Sequence, residues 1–206
     1  MHKTVPLLFG NYYHIYNRGI NSCKLFKNPE NYEYFLDLYD QHITPVAYTF
    51  AWVLMPNHFH FLVRIKEEKD IIPINLTGFG NLSGLKKPKP PHQYFSNLFN
   101  AYTKAVNKRF LRHGTLFERP FKRKLIDNQD YLKQVILYIH QNPVHHGFCD
   151  LPLDYPWSSY LTCVSVKPTK LHRESVLGWF DNVANFKYLQ NQKIEFEKLE
   201  DWLLQT

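Results

Sequence analysis

Cysteine is scarce in this chain: Cys23, Cys149 and Cys163 are an odd number, widely spread, with no CxxC pair. A disulfide framework is therefore excluded, and a reducing compartment suits the sequence best. Long hydrophobic runs are also missing. Nothing approaches the roughly 18 to 20 apolar residues that span a bilayer, and Val5 to Phe9 is too short for the core of a signal peptide. The expectation is a cytoplasmic protein with no membrane segment. What the chain does have is core-forming material. Hydrophobic residues are 44% and aromatics 17% of its 206 residues, which suits one folded domain with a small appendage and excludes a disordered chain.

Acidic residues are nearly absent from one stretch. Lys86 to Lys124 holds eleven basic residues and a single acid, Glu118, so it carries +10 while the rest of a chain of formal charge +7 carries −3. Positive charge concentrated in this way is the footprint of a polyanionic partner, most often nucleic acid, although a solvated basic face has the same composition.

The aromatic and β-branched run YYHIYN at 12–17 reads as an edge-type strand ending at Arg18-Gly19. Pro29 then opens a helix in which Tyr32, Phe35, Leu36, Leu38 and Tyr39 recur at helical spacing. Val46 to Leu54 and His58 to Ile65 flank the turn residues Met55-Pro56-Asn57 and predict a hairpin. Residues 66–91, with three glycines and the stretch KKPKPP, predict a long basic loop. Helical periodicity returns from His92 to Arg112 and stops at His113-Gly114. A further strand is expected over Leu116 to Ile126, then a helix capped by Asp127 or Asn128 and ended by Pro143. The order β-α-β-β-α-β-α predicts an α+β fold: a ferredoxin-like antiparallel sheet with helices packed on one face. This domain takes in 1–160, and 161–206, helical in pattern from about Phe186 to Leu204, is a C-terminal helical appendage.

Two patterns could carry chemistry. In His58-Phe59-His60 the period of a strand sends both imidazoles from one face, about 6 to 7 Å apart at the backbone, close enough to bind one metal ion. Phe59, Phe61, Val63 and Ile65 fill the opposite face, so the histidine side needs a cover or a function. In YLKQVILYIHQNP, Tyr131, Val135, Tyr138 and Asn142 share a helix face apart from the Leu132, Ile136 and Ile139 stripe, leaving Tyr138 free to present its hydroxyl beside Asn142. Each pattern alone also has a plain structural explanation: two histidines on a polar sheet face, and a half-buried tyrosine ahead of a helix terminator.

Together, MPNHFHFLV, GTLFERPFKRKLID, YIHQNPVHHG and DYPWSSY, in this order over about residues 12–160, resemble the single-tyrosine HUH transposases, specifically the group related to REP-associated tyrosine transposases. The resemblance implies a ferredoxin-like sheet. It also implies His58 and His60 as paired metal ligands, Asn142 as the third, and Tyr138 as the nucleophile. The implied activity is metal-dependent cleavage and strand transfer on single-stranded DNA at or near hairpins, through a covalent phosphotyrosine, by a monomer or a homodimer. Two imidazoles and an amide oxygen suit Mg²⁺ or Mn²⁺ functionally, though the nitrogens bind Zn²⁺, Co²⁺ or Ni²⁺ more tightly. The DNA-binding set expected is Arg18, Lys86, Lys87, Lys89, Lys104, Lys108, Arg109, Arg112, Arg119, Lys122 and Arg123, with strand alternation letting only one of Lys122 and Arg123 face the site. Two other classes compete. A non-catalytic or domesticated DNA- or RNA-binding regulator could use the same scaffold. A zinc hydrolase could use H-x-H with one of His140, His145 or His146.

Overall fold

The computed structural model describes residues 5–71, 88–192 and 194–204. Most of the expected 66–91 loop, with Lys86 and Lys87, lies outside the described residues. Strands β1 (Tyr12–Arg18), β2 (Ala47–Met55), β3 (His58–Ile65) and β4 (Lys122–Ile126) form one antiparallel sheet in the order β2-β3-β1-β4. Helix α1 (Pro29–Ile43) links β1 to β2, and α2 (Pro91–Arg109) lies between β3 and β4, giving the expected ferredoxin-like arrangement. Asn28 caps α1, its side chain accepting the Asn31 N–H ahead of Pro29 in the first turn.

Strand alternation divides the sheet between two cores. Tyr13 and Ile15 of β1 and Phe59, Phe61, Val63 and Ile65 of β3 pack beneath α1 and α2 with Phe35, Tyr39, Leu98 and Tyr102. The other face, including Val53 and Leu62, is covered by α3 (Gln129–His145), α4 (Tyr160–Val164), α5 (Arg173–Trp179), α6 (Val183–Gln190) and α7 (Phe196–Leu204). The crossover helices thus share one face as expected, and α3 with the C-terminal helices closes the other. The C-terminal segment builds no core of its own: Val176, Phe180, Phe186, Phe196 and Leu203 join α3 in this second core.

Three local expectations are revised. β1 is an interior strand, because β4 pairs along its second side. β4 itself begins only at Lys122. Residues 116–118 bond to the end of β1 through Ile20 N–H to Leu116 O and Glu118 N–H to Arg18 O, and Pro120, which has no N–H to give a ladder, separates the two pieces. Helix α3 continues past Pro143 to His145, since a proline this close to the end sacrifices a single ladder bond. The true stop is Gly147, at φ +70°, with Phe148 N–H closing onto Pro143 O.

The DYPWSSY segment runs along β2. Leu54 N–H donates to Trp157 O, and Trp52 N–H to Ser159 Oγ. Buried His140 of α3 joins this seam, with one ring nitrogen 2.8 Å from Ser159 Oγ and the other 2.9 Å from the Gln190 amide of α6.

Candidate nucleic-acid processing site

β1 and β3 set the floor of the site. Their register places Arg18 opposite His58 and Tyr16 opposite His60, so His14, Tyr16, His58 and His60 emerge on the α3 side of the sheet. Facing them, α3 lowers Tyr138 and Asn142, one helical turn apart. A cavity of about 250 Å³ between these elements is lined by Tyr16, Asn17, Arg18, His58, His60, Glu118, Lys122, His146 and Glu200.

The two imidazoles lie edge to face with ring centroids 5.2 Å apart. His58 Nε2 is 3.0 Å from Asn142 Oδ1, and His58 Nδ1 is 2.7 Å from Asn57 Oδ1. His60, 4% exposed, has its Nδ1 2.9 Å from Nε2 of fully buried His14. Burial pushes His58 down to about 4, against the Asn142 hydrogen bond and with help from the charges of His146 and Arg18. Burial, then His14, lowers His60 well below the ordinary histidine range. Both rings are therefore neutral at physiological pH and have lone pairs to offer.

Tyr138 is fully buried. Its ring stands edge-on to His60 at 5.2 Å and stacks on Phe196 of α7 at 4.7 Å, while its hydroxyl donates to Glu200 Oε1 at 3.4 Å. This corrects the expectation of a hydroxyl left free: α7 lies over it. Burial raises the Tyr138 pKa most, the Glu200 carboxylate raises it further, and the nearby Asn142 amide opposes them. The phenolate is disfavoured while α7 is in place.

A divalent ion would find a suitable donor set here, though not one of acids and thiols. Among the described residues no three His, Cys, Asp or Glu side chains form a metal-holding group. Two neutral imidazoles and an amide oxygen do meet, and Asn142 Nδ2 is a buried donor with no partner among the described residues. With Nδ1–H of His58 given to Asn57, His58 Nε2 and Asn142 Oδ1 are two lone-pair atoms 3.0 Å apart, an arrangement that a cation fits.

Of the expected DNA-binding residues, Arg18 and Lys122 line the cavity with the histidines. Alternation along β4 turns Arg123 the other way. It joins Arg119 in a neighbouring groove of about 520 Å³ against α2, which shares Asn17 and Glu118 with the first cavity. Lys89, Lys104, Lys108 and Arg109 are exposed outside both clefts. Arg112 is occupied locally, donating to Asn107 Oδ1 at 2.7 Å and Thr115 O at 3.1 Å. Of the histidines that a zinc hydrolase would need, His140 is committed to the β2 seam and His145 stacks on Phe196, whereas His146 lines the cavity. His14, Asn57 and Glu200 were not singled out from the sequence. His14 alternates in phase with Tyr16, but only the strand register brings it to His60, and nothing local marks Glu200.

A Haemophilus influenzae chain assigned as a REP-associated tyrosine transposase is 27% identical over 112 residues, 54% of this chain and 58% of that one. A solved structure of a REP-associated tyrosine transposase bound to a REP hairpin superposes with a TM-score of 0.58 at 17% identity, covering 82% of this chain and 88% of its own. This chain is thus similar over about half its length to that Haemophilus chain and shares the fold of the hairpin-bound transposase. No family model matches it. The aligned region spans 58% of the curated relative's length. Among the described residues no helix is long and apolar enough to cross a membrane.

Proposed function

We propose that this chain belongs with the REP-associated tyrosine transposases and is a metal-dependent single-stranded DNA endonuclease and strand transferase that acts at or near hairpins with Tyr138 as nucleophile. The observation that carries this reading is convergence. His58 and His60 of one strand meet Asn142 and Tyr138 of a helix some eighty residues later, beside the cations Arg18 and Lys122 and a second groove holding Arg119 and Arg123.

His58, His60 and Asn142 would hold Mg²⁺ or Mn²⁺, which when bound supplies charge neutralisation at the scissile phosphate. The chain's own groups do the rest. Arg18 and Lys122 draw the phosphate into the cavity. Tyr138 Oη, once deprotonated, attacks phosphorus; the bond to the 3′ oxygen breaks, that oxygen leaves as a 3′-hydroxyl after taking a proton, and the DNA 5′ phosphate remains esterified to the tyrosine. Because the ester conserves the bond energy, a 3′-hydroxyl can reverse the step and join strands.

The buried Tyr138 hydroxyl is the one observation that favours the competing regulator, since a protein that only binds DNA can leave its tyrosine closed. The deciding experiment is incubation with labelled, structured single-stranded oligonucleotides and Mn²⁺. Wild-type protein should give a covalent adduct that mass spectrometry assigns to the peptide containing Tyr138. Tyr138→Phe should still bind DNA but give none. A nucleotide on another residue, or full cleavage by the Phe variant, would overturn the assignment.

A further inference from the structure

His14 is an odd tenant for the middle of a sheet. It is fully buried, its ring nearly parallel to those of Tyr16 and His60, and its Nδ1 has no partner among the described residues. A phenylalanine would fill the space without leaving a polar atom unmatched, so the imidazole needs a reason.

The reason lies in its other nitrogen. His14 Nε2 and His60 Nδ1 are 2.9 Å apart, which leaves room for one proton between them and no more. If His14 supplies it, His60 carries its own proton on Nε2 and has no nitrogen free for a metal ion. If His60 supplies it, His60 Nε2 is a bare lone pair, and His14 bears its proton on the unpartnered Nδ1. Only the second arrangement makes His60 a ligand. His58 repeats the logic. Its Nδ1 is 2.7 Å from Asn57 Oδ1, so Nδ1–H donates there and Nε2 is left bare toward Asn142. Turning the Asn142 amide end for end in the metal-free protein then lets its otherwise unmatched Nδ2 donate to that lone pair, since the two ends of an amide are interchangeable in shape.

We propose that His14 and Asn57 are positioning residues for the histidine pair: each accepts the Nδ1–H of one metal-binding imidazole and so holds both Nε2 lone pairs toward the same ion. The inference rests on the metal site proposed above and adds to it the two residues that set its tautomers. A ligating histidine is generally held by such an outer partner, whose loss weakens metal binding about 10- to 100-fold. His14 is unusual in being an imidazole that must carry its own proton on the far side.

Two measurements test this. Long-range ¹H–¹⁵N correlation spectra of metal-free, histidine-labelled protein read the tautomers directly: His58, His60 and His14 should each be protonated at Nδ1 and bare at Nε2. A proton on His60 Nε2 would overturn the proposal. The second measurement is Mn²⁺ affinity by paramagnetic resonance. His14→Phe and Asn57→Ala should each weaken Mn²⁺ about 10- to 100-fold, whereas His14→Gln, which restores a carbonyl acceptor, should recover part of the loss and guards against a misfolded Phe variant. Wild-type binding undiminished in all three variants sinks the positioning role and leaves the metal site standing. Failure of the wild-type protein to bind Mn²⁺ sinks the site itself, and the proposal with it.

Discussion

Glu200 holds the position that matters most to Tyr138. Its carboxylate accepts the tyrosine hydroxyl and adds a negative charge beside a phenol already starved of water, and both effects keep the proton on oxygen. Glu200→Gln removes the charge and keeps the shape. The phenol pKa should fall, and with its phenolate as the proposed nucleophile, adduct formation should rise at a given pH, roughly tenfold for each unit gained. The rate profile, which climbs with pH, should shift toward lower pH by the same amount. If the variant is instead slower at every pH, Glu200 takes the proton as a general base, and the closed hydrogen bond is a step of the reaction. At this scale the sequence was legible only in part. His58, His60, Tyr138 and Asn142 stand in short motifs whose spacing can be read directly. Glu200 and His14 reach the site through packing and register, which leave no local trace.

Among the elements, the seam between α3, β2 and α6 has its own chemistry. His140 is fully buried, with Ser159 on one side and Gln190 on the other, and burial lowers it from an ordinary 6.5 to about 3. The unfolded chain therefore takes up a proton that the folded chain refuses between those two values, and stability is fully present above about 6.5 and lost as pH falls toward 3. The loss attributable to this residue is on the order of a few kcal/mol. Thermal melting across that window should be steeper in the wild type than in His140→Phe, whose curve flattens at the acid end; parallel curves would show that the seam does not titrate. The helix itself could be anticipated from its cap and its apolar stripe. Its end could not, because Pro143 suggests a stop that Gly147 makes, and a single missing N–H near a terminus is cheaply accommodated.

Over the whole molecule, charge and chemistry occupy neighbouring but distinct ground. Arg18 and Lys122 stand in the cavity and Arg119 and Arg123 in the adjoining groove, while Lys104, Lys108 and Arg109 lie exposed on α2 beyond both. Neutralising Lys104, Lys108 and Arg109 together should weaken single-stranded DNA binding and lower the slope of log affinity against log salt by about 0.7 for each phosphate that the protein no longer neutralises. Formation of the adduct at saturating DNA should be unaffected. An unchanged slope would identify that end of α2 as a solvated face. The fold class was open to reading at this scale, since the element order fixes the sheet topology. The close union of the C-terminal helices with α3 was not, because Phe180, Phe186 and Phe196 look the same in sequence whether they build a separate core or complete this one.

Strand β1 divides its duties by parity. Odd positions Tyr13 and Ile15 belong to the core under α1 and α2, while even positions His14, Tyr16 and Arg18 stand on the side of the histidines. Heredity treats such a ribbon as two interleaved genes. A change at Tyr13 or Ile15 is a folding lesion, correctable by stabilising mutations elsewhere; a change at Arg18, on the cavity side, should leave a folded protein whose altered cavity no such suppressor restores. A single inserted codon exchanges the two sets at once, and no second substitution within the strand can put them back.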